Sequence, residues 1–271
     1  MLRIKSYILS LIIFLFFSSL CSAGEMVKYT TSDEQFDVFA RDENVAKQIA
    51  PLVENLREKL LETLDIFFRW EKPAEIIIYS EKKWEEEYLF YFYNKNTKKE
   101  NLKGFQTFRQ SGLEEKVIFP AVTSLILSEI ILREKKIKKF EGETLNIPLC
   151  FKEGLWRYIA QFNTLEKLKK IDSLNLSKLL TANEQNNELF QIKSAALVNF
   201  SLHLPYGKIR LRKIIVSLYG NYKKRFVKKI YSAFGEQFKN EEAFNKKWKE
   251  YVEAMILSKE YETKLRERIG K

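Results

Sequence analysis

The chain is poor in the side chains that most often carry enzyme chemistry. It has one histidine, His203, and two cysteines, Cys21 and Cys150, in 271 residues. A site with two histidine ligands therefore cannot be assembled within one protomer, and serine or leucine is no substitute for imidazole on zinc. Proline and glycine are also scarce, at 5 and 9, and no repeat or low-complexity linker interrupts the sequence. The first long uncharged apolar run, Tyr7–Leu20, is shorter than the roughly 20 residues that a membrane helix needs.

That run follows Arg3 and Lys5 and ends at Cys21-Ser22-Ala23, with small residues at −3 and −1. The pattern predicts a signal peptide over 1–23 and export to a periplasmic or extracellular space. The alternative is an uncleaved N-terminal membrane anchor. Lipidation of Cys21 is disfavoured because Leu20 before it is not small. If Cys21 leaves with the signal, Cys150 stands alone, an intramolecular disulfide is excluded, and the thiol reads as a small buried hydrophobe.

The net charge is +11, and loss of Arg3 and Lys5 lowers it to +9. Outside the cytoplasm such a balance points away from nucleic acid. It points to anionic headgroups or cell-wall polymers, or to a lysine-rich solvated surface. The lysines near Lys223–Lys229 alternate with Tyr222, Phe226 and Ile230 at helical spacing, which is the outer face of an amphipathic helix.

Periodicity predicts an α+β fold over 24–271, with a small N-terminal β-sheet layer (24–120) and a mostly helical C-terminal half (121–271). Expected strands are Gln35–Ala40, Ala74–Tyr79, Gly104–Arg109 and Lys116–Phe119, the last two as a hairpin or sheet edge. Helices are expected over Val45–Phe68 (kinked or started near Pro51), Glu81–Tyr88, Ala121–Arg133, Asn175–Ala182, Leu189–Leu204, Lys208–Tyr219 and Tyr222–Ala233. A last helix is capped by Asn240. The segment WEEEYLFYFY (84–93) reads as core, subunit contact, or a lipid- or sugar-contacting surface, with Tyr88–Tyr93 left unassigned.

The central helix places one carboxylate, Glu129, among Leu125, Ile126, Leu127, Ile130, Ile131 and Leu132. Such a group must be paired, ligated or protonated. About two dozen residues on come Pro148 and Glu153-Gly154. This order resembles the gluzincin metallopeptidases, and within them the peptidase MA-like group, with His-Glu-x-x-His followed by Pro-x-Trp-x-x-Glu-Gly. Gly104-Phe105, Ile147-Pro148, Tyr158, Tyr206-Gly207 and Phe244-Asn245-Lys246-Lys247-Trp248 extend the likeness over most of the mature chain. The resemblance implies zinc held by two histidines and a glutamate, with the central glutamate activating water.

Here the aligned positions read Ser128-Glu129-Ile130-Ile131-Leu132, and Cys150 replaces the tryptophan. Only Glu129 (the base position) and Glu153 (the third-ligand position) remain. The expectation is a protein without zinc or other cofactor, an inactive pseudopeptidase serving as a binding or structural module for a peptide or envelope component. The alternative is an active metal-dependent hydrolase with non-standard ligands centred on Glu129 and Glu153. Ion pairing gives the two carboxylates a structural role: Glu153 and Arg157 share a helix face, and Arg157 or Lys152 is within plausible reach of Glu129. A ligand-binding cleft lined by Ser128, Glu129, Leu132, Glu153 and Arg157 is the second reading, and a glycosidase-like carboxylate pair has residue type alone in its favour. His203, beside Leu202 and Leu204, reads as a helix-terminal residue rather than a catalytic one.

Overall fold

In a computed structural model, the described residues are 26–269 without 71, 80–86, 95–98, 110–112, 143–144, 146, 161–170, 172, 183–186, 219–229 and 237. The segment 1–23 expected to be a signal peptide, the lysine-rich stretch Lys223–Lys229 and nearly all of the expected helix Glu81–Tyr88 lie outside them.

The chain opens with β1 (Val27–Thr30), β2 (Phe36–Ala40), α1 (Glu43–Thr63) and β3 (Ala74–Tyr79). Asp42 starts α1 by accepting the Asn44 N–H, and Pro51 lies inside a continuous helix rather than at its start. β4 (Glu87–Asn94) and β5 (Lys99–Arg109) follow, then α2 (Glu115–Glu134), β6 (Lys139–Gly142) and α3 (Leu149–Ile159). The remaining helices are α4 (Leu176–Thr181), α5 (Glu188–His203), α6 (Gly207–Leu218), α7 (Ile230–Ala233) and α8 (Glu241–Ile269). The architecture is mixed, with a small N-terminal sheet and a largely helical remainder.

The six strands run in the order β1-β2-β3-β5-β4-β6. β2, β3 and β5 are parallel, so α1 is the crossover between β2 and β3. β1, β4 and β6 pair antiparallel with their neighbours. On β2 and β3 the alternation sends Phe36, Val38 and Ala40 with Ala74, Ile76 and Ile78 into the core.

Three expectations are corrected. Lys116–Phe119 is helical: α2 begins at Glu115 and runs through Pro120, so the antiparallel partner of β5 is β4, not a strand at 116–119. Tyr88–Tyr93 belongs to a strand, β4, and Glu87 and Tyr88 are not helical. The sheet also does not end at residue 120, because β6, from the connection after α2, pairs with Leu89–Phe92. The expected helices at Asn175–Ala182 and Leu189–Leu204 form, each capped by an asparagine, Asn175 and Asn187. Asn240 caps α8 as its sequence predicts.

α2 is the axis of the core: every residue from Val122 to Leu132 is buried. α1, α3 and α6 pack around it, and α5 lies against α3. On the far side of α5, Phe200 meets Phe238, Phe244, Trp248 and Tyr251, mostly edge to face, at centroid separations of 5.3–6.1 Å. The Phe244 and Trp248 of the C-terminal motif thus anchor α8.

Candidate functional site

α2 and α3 carry the residues in question. Glu129 sits mid-way along α2 with no solvent exposure, and Glu153 on α3 is 1% exposed. An ionised carboxylate at such depth is tolerated only with a close cation or several donors.

Each has a guanidinium one turn further along its own helix. The Arg133 Nε and Nη2 both donate to Glu129 Oε1, at 2.7 and 2.6 Å. On α3, the Arg157 Nε donates to Glu153 Oε2 at 3.2 Å, and the Trp156 Nε1 donates to the same oxygen at 3.1 Å. The Arg157 guanidinium also lies over the Trp156 ring, 4.3 Å from its centroid. The Glu153–Arg157 pair follows the expectation from spacing. For Glu129, Arg133 one turn on supplies a cation that the helix spacing also allows.

A third guanidinium joins from α1. Arg57 is 5% exposed; burial pulls it below its ordinary pKa, while the charges of Asp33 and Glu129 push it back up. It donates to the Gln35 side chain at 3.1 Å, to the Phe68 carbonyl, and to Asp33 at 3.3 Å. The Phe68 ring, brought in by the connection from α1 to β3, lies between two cations: Arg57 at 5.4 Å and Arg133 at 4.7 Å from its centroid. This cluster was not anticipated. The i,i+4 spacing of Glu129 and Arg133 was a local signal for part of it, but the convergence of Arg57 and Phe68 is visible only in the fold.

The other candidate positions are structural in their contacts. Ser128 is buried; its hydroxyl donates to the Ser124 carbonyl at 2.7 Å and accepts the Leu145 N–H at 2.9 Å. It thereby pins the segment leading into α3 onto α2. Leu132 is wholly buried core. Cys150 is enclosed, and burial pushes its thiol up, away from a reactive thiolate. His203 is exposed at the end of α5, where its Nδ1–H donates to the Asn199 carbonyl at 2.8 Å beside the Tyr251 ring. Tyr158 and Tyr206 are exposed.

The zinc that the resemblance implies does not fit these residues. Ser128 spends both functions of its hydroxyl on backbone groups, Leu132 has no donor atom, and the carboxylates are held by arginines. Among the described residues, no three His, Cys, Asp or Glu side chains converge as a metal site.

Gly154, beside Glu153, has a packing reason. A Cβ there would stand 2.4 Å from the Ser194 carbonyl oxygen of α5 and 2.8 Å from Val198. Only glycine lets α3 and α5 approach this closely. No family model matches the chain, and no curated protein matches it either.

Proposed function

We propose that this chain is an exported, non-catalytic relative of the peptidase MA-like gluzincins that acts as a binding or structural module toward a peptide or envelope component. One observation carries the reading. The glutamate at the general-base position is wholly enclosed and its Oε1 takes two donors from Arg133, so that oxygen serves an ion pair at the position where the family activates water. The Glu153–Arg157 pair and the backbone-bound Ser128 support it in the same sense.

The experiment is metal analysis of the purified protein together with a peptidase assay, each with and without chelator. The expected result is substoichiometric zinc, no chelator-sensitive hydrolysis, and a melting temperature that a chelator does not move. Near-stoichiometric zinc that disappears in Glu153→Gln would overturn the proposal in favour of a hydrolase with non-standard ligands. Intact mass of the protein recovered from the exporting host tests the localisation: loss of residues 1–23 is expected.

A further inference from the structure

We propose that the face around Phe67 docks on an anionic lipid surface. The connection between α1 and β3 carries two adjacent phenylalanines with opposite fates: Phe68 is 6% exposed and Phe67 is 84% exposed. A large apolar ring left in water forgoes one of the stronger contributions available to a side chain, and here it is held out by a well-tied loop. The Asp65 backbone is left-handed (φ 50°), and the Ile66 N–H returns to the Leu61 carbonyl at 3.0 Å. Arg212 of α6 donates to the carbonyls of Leu64 and Asp65. On the other side of Phe67, Arg57 holds the Phe68 carbonyl and the Trp70 N–H donates to Gln35.

The same ties bring cation-bearing segments to this loop. Arg212 also reaches Glu134, at 3.4 Å, which joins the C-terminal end of α2 to this loop. Exposed Lys135 and Lys136 follow Glu134 directly, exposed Lys213 adjoins Arg212, and exposed Arg69 lies two residues past Phe67. By sequence the acids on these segments are Glu62, Asp65, Glu71 and Glu134, the last engaged by Arg212. Cations outnumber them, in keeping with a chain of net charge +11.

A projecting apolar ring with a basic surround matches the headgroup boundary of an anionic bilayer: the ring enters the acyl edge and the cations meet phosphates. Protein interfaces are depleted of lysine, and a lone ring gives no broad apolar core for a partner chain. A soluble polyanion would engage the cations and leave Phe67 idle. The inference does not depend on how the α2–α3 site is read.

Flotation of the full chain with vesicles tests it, comparing phosphatidylcholine alone with an equal mixture of phosphatidylcholine and phosphatidylglycerol. Any contribution of the N-terminal segment is common to all variants, so the differences between them carry the result. Binding to the mixed vesicles is expected. Phe67→Ala should weaken it about tenfold or more, and each charge lost in Lys135→Gln/Lys136→Gln about fivefold. Lys246→Gln/Lys249→Gln, exposed on α8, should bind as the parent does. Circular dichroism checks that each variant is folded. Equal binding by Phe67→Ala and the parent overturns the proposal, as does binding to neither vesicle. Loss in the α8 control matching that at Lys135 and Lys136 also overturns it, because the attraction would then be spread over the whole surface.

Discussion

Arg133 is hydrogen-bonded to the buried carboxylate of α2, on which the Arg57 charge also acts. Removing one member of a buried pair leaves the other uncompensated, a loss of about 3–5 kcal/mol when both are fully enclosed. Arg133 keeps 21% of its side-chain exposure and Glu129 none, so Arg133→Ala should fall toward the lower end of that range in urea unfolding. Glu129→Leu/Arg133→Met together should recover most of the loss, since an apolar replacement of a buried pair is often neutral. A double variant as unstable as Arg133→Ala would show that the pair is not the source of the effect. Tyr251 gives a second residue-scale test. Burial raises its hydroxyl above the ordinary value near 10, and that buried oxygen has no hydrogen-bond partner among the described residues. The folded state therefore holds this proton more tightly than the unfolded chain. Stability is undiminished below about pH 10 and falls as pH rises beyond it. Tyr251→Phe keeps the ring against Phe200 and Trp248; it should leave neutral-pH stability unchanged or higher and flatten the alkaline decline. An unchanged alkaline slope would place the sensitivity elsewhere.

Between elements, the closest approach is that of α3 to α5 at Gly154. Alanine in a helix interior is ordinarily better than glycine by about 0.5–1 kcal/mol. Here the added methyl meets the Ser194 carbonyl at 2.4 Å, and overpacking of that kind costs about 1–3 kcal/mol. Gly154→Ala is thus expected to lower the melting temperature, and a rise would mean that the two helices separate freely. The same scale explains what the sequence could and could not tell. Ala74–Tyr79 was legible because Ile76, Ile77 and Ile78 form a β-branched run with a proline before it. The asparagine cap at 240 was legible because capping is local, and Asn175 and Asn187 carry the same local signal, not read as caps from the sequence, at the starts of α4 and α5. Val117-Ile118-Phe119 looked like the same kind of run, ended by Pro120. Yet Ile118 and Phe119 are buried as part of α2, and burial against neighbouring helices outweighs a weak strand propensity. β6 had no readable signal, since its four residues, Lys139–Gly142, form a strand only because β4 offers an edge. Of the candidate site, the two glutamates and the Glu153–Arg157 spacing could be read directly, whereas Phe68 between Arg57 and Arg133 required three separate segments to meet.

At the scale of the whole molecule, α2 lies across the boundary at residue 120 that the sequence suggests between a sheet-bearing part and a helical part. Ile118 and Phe119 precede that point and Val122 to Leu132 follow it, all in one uninterrupted helix. One contiguous core takes in Phe36 and Ile76 from the sheet, Leu125 and Ile130 from α2, and Phe200 and Trp248 from the far helices. A chain cut at residue 120 keeps α1 against β1 and β2 but loses most of α2. That helix packs on β5 and β4 and carries the centre of the one contiguous core, so the strands are left without part of the packing that a stable sheet needs. A fragment ending at residue 120 is therefore expected to show no cooperative unfolding. The chain from residue 24 should lose its helical circular dichroism and its tryptophan fluorescence in one coincident urea transition, Trp70 reporting from the sheet side and Trp156 and Trp248 from the helices. Two separated transitions, or a folded fragment, would mean that the halves are independent units and that α2 joins them rather than forming their common core.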